Sequence, residues 1–253
     1  MEVRELTKVF GKETVINGIS FSQKPGEILA VLGPEGAGKT ALLKILAGVI
    51  EPTSGQIFYR GRNIREDINE YKNQVGYAPE HPDIFPHLNA VEYLQLVGRM
   101  YLIPEPVLEE KISGFLEQFQ LSEEMHLPVS TYSKGMIQKV SLSAAMIHNP
   151  DILLLDEPLA GLDMTSALIM RDLLQKLAGN GKLVICATRI LEVAEQLCDR
   201  ALIVNKGIIV SNNPVKELRN LMDLPLLESI LKKMVQQHDI EESVHSMMSI
   251  IQS

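Results

Sequence analysis

Two segments near the start of the chain, residues 2–10 and 14–22, have the pattern of strands, with a turn at Gly11-Lys12 between them; together they predict a hairpin. After the Pro25-Gly26 break, Glu27 to Leu32 reads as a short, mostly apolar strand running into a glycine-rich loop. From Thr40, the run Ala41-Leu42-Leu43-Lys44-Ile45-Leu46-Ala47 predicts a helix that stops at Gly48. Pro52 to Gly55 predicts a turn, Ile57-Phe58-Tyr59 a strand, and Gly61-Arg62-Asn63 a second turn. Between Pro82 and His148 the apolar positions adopt helical spacing, as in Val91-Glu92-Tyr93-Leu94-Gln95-Leu96-Val97. Pro104 and Pro106 separate that helix from another over Val107 to Phe119. Apolar runs of strand length return at 151–155 and 183–187, and Ala201–Val204 with Gly207–Val210 predicts a closing pair. After Pro214 the pattern is helical to the end, with apolar Leu226, Leu227, Ile230, Leu231 and Val235. Strands alternating with helices predict an α/β fold around a mainly parallel sheet covered on both faces. The expected division is a core over 1–213, with an inserted helical subdomain at about 82–148, and a helical extension over 214–253.

Composition narrows the classes. A chain of 253 residues suits one α/β domain with additions. The net charge of −8 argues against a nucleic-acid partner, which would call for a basic face. The two cysteines, Cys186 and Cys198, form no CxxC, and Cys186 lies in an apolar run, so it is expected to be a reduced core thiol. No signal peptide is visible at the N-terminus, and no stretch reaches the ~20 apolar residues of a membrane span.

The chemistry concentrates in two places. Gly33-Pro34-Glu35-Gly36-Ala37-Gly38-Lys39-Thr40 fits G-x4-G-K-[ST] between a strand and a helix, the setting of a P-loop NTPase core. Its glycines let backbone N–H groups curl around phosphates, and the helix N-terminus adds a positive dipole end. Lys39 can reach the β and γ phosphates of ATP, and the Thr40 hydroxyl can ligate Mg²⁺. The apolar run Ile152-Leu153-Leu154-Leu155 ends in Asp156-Glu157. Carboxylates beside a core are costly without a partner. Beside a P-loop, Asp156 can hold the Mg²⁺ shell and Glu157 can orient or deprotonate an attacking water. Taken by themselves, the two acids could equally cap the turn before Pro158.

Between these sites lies Tyr132-Ser133-Lys134-Gly135-Met136-Ile137-Gln138-Lys139, which resembles the LSGGQ signature of ABC ATPases. Ser133 and Gly135 match; Lys134 replaces a glycine and Met136 the glutamine, a form similar to export-type members. Ser133 also reads as a helix N-cap. The resemblance covers most of residues 1–215. It implies that Phe10 stacks on adenine, that Leu159-Ala160-Gly161-Leu162-Asp163 is the D-loop, and that Asp163 lies at a dimer interface. It implies further that two ATPase subunits, as a homodimer or heterodimer, sandwich ATP between one chain's P-loop and the other's signature. A separate transmembrane permease then uses their closure and opening, with the ATPase cytoplasmic and peripheral on the inner face of the cell membrane. The resemblance also implies that this permease docks in the groove around Glu80 and the helix from Ala90 to Met100.

Two positions depart from the family pattern. Glu80 stands where glutamine is usual, which keeps an oxygen for Mg²⁺ but adds charge near the γ-phosphate, and some export-type members share it. Arg189 stands where the switch histidine is usual; it can donate to the γ-phosphate but cannot accept a proton. These departures bear on the hydrolysis rate more than on ATP binding. The expectation is that the two opposite charges compensate each other, attracting at roughly 6 Å by about 3 kcal/mol before desolvation. Independent drift at the two positions is the other reading. Two alternatives to a hydrolysing transporter subunit stay open: a degenerate ATP-binding regulatory subunit, and a soluble, non-transport ABC ATPase.

Overall fold

The computed structural model describes residues 1–218. The opening segments form a hairpin, β1 (Glu2–Phe10) and β2 (Glu13–Ser22). Val3, Leu6, Ile16, Ile19 and Phe21 point inward from it. β3 (Ile28–Leu32), buried throughout, feeds the glycine-rich loop and α1 (Lys39–Leu46). β4 (Ser54–Tyr59) begins inside the expected turn, and Arg62–Asn63, expected as a turn, pairs with it as β5. Among the elements not expected are α2 (Ile68–Asn73) and β6 (Val75–Ala78).

The helix-rich middle holds α3 (Ala90–Met100), α4 (Glu105–Gln118) and α5 (Lys134–Met146). Asn89 and Glu92 form a capping box at the start of α3. The chain returns through β7 (Ile152–Asp156), α6 (Met164–Gly179), β8 (Leu183–Thr188), α7 (Leu191–Leu197), β9 (Arg200–Asn205) and β10 (Ile208–Pro214).

Two sheets result. One is antiparallel, in the order β2-β1-β4-β5; the other runs β10-β9-β3-β8-β7-β6, parallel except where β10 pairs with β9. This is the expected architecture: a mainly parallel core, an antiparallel N-terminal sheet and inserted helices. Alternate residues of the parallel strands feed opposite cores. Leu29, Val31, Leu154 and Ile185 join α1 and the antiparallel sheet, while Ala30, Leu153, Leu155 and Cys186 face α5, α6 and α7. Both cysteines are buried and free. β10 runs to Pro214, and a short 3-10 turn follows over Val215–Glu217, with Val215 and Leu218 buried in the second core. The rest of the expected 214–253 extension lies outside the described residues.

Candidate nucleotide site

The glycine-rich loop owes its path to close backbone approaches. Gly38 takes φ 103° at the N-cap of α1, and a Cβ there would come within 2.7 Å of the Val15 carbonyl. Gly33 lies so close to the Val204 carbonyl that a Cβ could not fit. Gly36 takes φ 73° in open space, so there only the backbone conformation favours glycine. Pro34 accepts from Ala37 N–H at 3.2 Å, and the Ala37 carbonyl accepts from Gly207 at 3.0 Å, tying the loop to the β9–β10 turn. Glu35 lies between them on the same loop. No side chain caps α1, so no side chain competes with an anion for the backbone donors of its first turn.

Lys39 is 8% exposed and donates to the carbonyls of Gly33 and Pro34 at 2.7 and 3.0 Å. Burial lowers its pKa, opposed by the charges of Glu157, Asp156 and Glu80. Thr40 donates its hydroxyl to Asp156 Oδ2 at 2.6 Å, across the α1–β7 packing. Asp156 is 1% exposed, and burial raises its pKa against the Thr40 hydrogen bond, with Glu80 and Glu157 adding to the rise.

Glu157, 6% exposed, follows β7 with φ 48°. Its backbone N–H donates to Ala187 O at 2.8 Å, which carries the chain past the end of the strand. Both carboxylate oxygens are held: Thr188 Oγ1 donates to Oε2 and the Arg189 backbone N–H to Oε1, each at 2.8 Å. Thr188, fully buried, was given no role from sequence, because an Ala-Thr pair ending an apolar run carries no signal of its partner. The Arg189 guanidinium lies 3.9 Å from Glu157 Oε1 and 4.0 Å from Glu80 Oε1, so the two departures meet. Lys39, Thr40, Asp156, Glu157, Glu80 and Arg189 therefore form one cluster.

Ser133, Gly135 and Asp163 gather in a second group. Ser133 caps α5, accepting from Met136 N–H at 3.2 Å. Gly135 packs on the Gly161 carbonyl with no room for a Cβ. Asp163 caps α6 through Ser166 and pairs with Lys139 at 2.8 Å; these contacts, Lys139 first, hold its carboxyl well below the usual range. Gln138 bridges the groups, donating weakly to the carbonyls of Glu157 and Pro158 at 3.5 and 3.4 Å. Gln138 and Lys139 were not singled out from sequence. Phe10 stands apart from both groups at the turn end of β1, 48% exposed, with Lys8 Nζ 4.8 Å from its ring centroid.

The arrangement can hold a phosphate chain on Gly33–Thr40 and present a carboxylate beyond its end. A family model described as ABC transporter matches residues 16–160, which include the P-loop, the signature and Asp156-Glu157. The chain belongs to the ABC transporter family. It is an ATP-binding and ATP-hydrolysing subunit of that family. Similar relatives include an uncharacterized ABC transporter ATP-binding protein of Methanocaldococcus jannaschii, 35% identical over 86% of this chain and 79% of its own length. Another is Nod factor export ATP-binding protein I of Ralstonia nicotianae, 32% identical over 86% and 68%. A third is a linearmycin resistance ATP-binding protein of Bacillus subtilis, 32% identical over 83% and 68%. Among solved structures, one described as the ATP binding subunit of an ABC transporter superposes with a TM-score of 0.80 at 27% identity, covering 93% of this chain and 98% of that one. Among the described residues, no helix is long and apolar enough to cross a membrane.

Proposed function

We propose that this chain pairs with a second ATPase subunit, hydrolyses Mg-ATP between them, and powers a separate transmembrane permease of the export type. The observation that carries the reading is the convergence of Lys39, Thr40, Asp156 and Glu157 on one buried spot beside the glycine loop. The backbone of Gly33 to Thr40 wraps the phosphates, and Lys39 exchanges its two loop carbonyls for β- and γ-phosphate oxygens. Phe10, half exposed beside Lys8, offers a face to the adenine.

The donor set suits Mg²⁺, because Thr40 and Asp156 are hard oxygen donors 2.6 Å apart and the carboxylate is buried with a raised pKa that a cation would relieve. Among the described residues, no three His, Cys, Asp or Glu side chains gather as a metal site. Mg²⁺ in nucleotide sites takes one or two protein oxygens and completes its shell with phosphates and water. Thr40 and Asp156 would hold it, with Glu80 as a further oxygen, and when bound it neutralises phosphate charge. Glu157, fixed by Thr188 and the Arg189 N–H, orients and deprotonates the attacking water. Arg189 donates to the γ-phosphate in place of the family's histidine.

Ser133 and Gly135 serve the other subunit's ATP, and Asp163 lies at that interface. The permease docks at a groove of about 410 Å³ between the core and α3, lined by Pro79, Tyr77, Tyr93, Val97, Tyr101 and His148. On this reading the chain works at the cytoplasmic face of the membrane. The export direction draws on the Ser133–Met136 sequence and on relatives named for Nod factor export and linearmycin resistance. The test is Glu157→Gln: it should still bind ATP and accumulate as an ATP-bound dimer in size-exclusion chromatography with Mg-ATP. A variant that stays monomeric while hydrolysing at the wild-type rate would refute the assignment.

A further inference from the structure

We propose that Arg189 is a latch operated by the γ-phosphate: the nucleotide-free chain holds its guanidinium between Glu80 and Glu157, and ATP, unlike ADP, draws it away from both. The proposal rests on the reading of Gly33–Thr40 as the nucleotide site and goes beyond it, because it makes ATP displace an existing contact rather than fill an empty place.

Three observations carry it. The guanidinium is 4.0 Å from Glu80 and 3.9 Å from Glu157 at once, so neither pair is a tight bidentate contact and the group is shared. The partners differ in freedom. Glu157 is fixed on both oxygens by Thr188 and the Arg189 backbone, and its side chain is almost fully buried. Glu80 and the Arg189 side chain are each about a third exposed, so the guanidinium can swing while its own backbone stays bound to Glu157. Finally, the cluster holds two cations, Lys39 and Arg189, against three carboxylates, Asp156, Glu157 and Glu80. Both cations are already engaged, Lys39 by its loop carbonyls, so an arriving γ-phosphate must compete for them.

Release has a consequence at Glu157: drawn to the γ-phosphate, the guanidinium leaves the flank of Oε1 that it occupies at 3.9 Å, and it does so only where there is a phosphate to attack. Glu80 is the counterweight that sets how much γ-phosphate attraction the swing needs. In this chain the two departures from the family pattern thus form one device.

The experiment is a double-mutant cycle on nucleotide preference. Equilibrium binding of β,γ-imido ATP and of ADP is measured for the full chain, Glu80→Gln, Arg189→Gln and the double variant. The readout is the ratio of the two dissociation constants, which a loss of fold would not shift selectively. Removing the counterweight should raise the preference for the triphosphate about fivefold, the size of a partly screened ion pair. Arg189→Gln should lower the preference by a similar factor, and adding Glu80→Gln to it should change nothing further. Should Arg189→Gln fail to fold, Arg189→Lys takes its place; one ammonium cannot fork between two carboxylates, so the Glu80→Gln effect should shrink. An undiminished Glu80→Gln effect in either arginine variant would show that Glu80 acts directly on the phosphate and would overturn the latch. Equal tightening of ADP and the triphosphate by Glu80→Gln would overturn it too. A wild-type chain that binds neither nucleotide would instead strike at the nucleotide site itself, and the latch would fall with it.

Discussion

Thr188→Val is the sharpest probe of how Glu157, the proposed base, is held. The change keeps the shape of a fully buried side chain and removes only its hydroxyl. That hydroxyl donates to Glu157 Oε2 at 2.8 Å and accepts from Ile190 N–H at 3.1 Å. A hydrogen bond to a charged group contributes about 1.5–3 kcal/mol. If that stabilisation serves to hold the base in place, its loss lowers kcat by roughly tenfold to a hundredfold, at ~1.4 kcal/mol per tenfold. One anchor survives, the Arg189 N–H on Oε1, so activity should fall without vanishing. KM should stay near wild type, because the glycine loop and Lys39 are untouched. Steady-state phosphate release gives both constants, and Thr188→Ser, which keeps the hydroxyl, should retain most of kcat. Wild-type turnover in Thr188→Val, or a serine variant as slow as the valine one, would refute the reasoning.

Two further outcomes are expected. Gly33→Ala must displace the loop, because the Val204 carbonyl occupies the space of a Cβ, and should weaken ATP at least about tenfold by equilibrium binding, ~1.4 kcal/mol. Gly36→Ala meets no neighbour and carries only the strain of its positive φ, whereas Gly33→Ala must also move backbone, so Gly36→Ala should be the milder; equal effects would refute the steric account. Asp156→Asn should abolish turnover yet raise the melting temperature of the nucleotide-free chain by about 2–4 °C, as ~1 kcal/mol would. The sign follows from burial: the folded pKa of Asp156 lies above its unfolded value, so protonation stabilises at low pH and that stability is lost as pH rises through the folded pKa. Calorimetry across pH should show that loss in the wild type and not in the variant; a lower melting temperature at neutral pH for the variant would contradict it.

The fold was legible where the apolar pattern is strong: the opening hairpin by its strand-like segments and turn, β7 and β8 as continuous apolar runs buried on both faces, and the strand–loop–helix at Gly33–Thr40 by its glycines. α2 was missed because its sequence, INEYKN, buries only Tyr71; the Asp67-to-Glu70 capping contact was its one available signal. β6 was missed because Gly76 interrupts a four-residue strand, a glycine required by the close approach of the Ala145 carbonyl. Within the site, Lys39, Thr40, Asp156 and Glu157 were legible because their chemistry is written in adjacent residues. The clamp by Thr188 was not, since it depends on the β7–β8 register that sets Asp156 beside Ala187. Glu80 and Arg189 were legible as oddities, and their expected compensation gains from a 4.0 Å approach, closer than roughly 6 Å. The added contact of Arg189 with Glu157 could be read only from the folded chain. Asp163 holds an intrachain cap and a Lys139 ion pair that the sequence did not indicate.

The account stands on Lys39 as the cation that receives the phosphates, and equilibrium binding of labelled ATP to the wild-type chain and to Lys39→Ala tests it most directly. Lys39 donates two hydrogen bonds inside the loop, so each variant must first be shown folded by its melting transition. The account predicts saturable binding to the wild type and none detectable in Lys39→Ala at the same concentrations; unchanged affinity in a folded Lys39→Ala would contradict it.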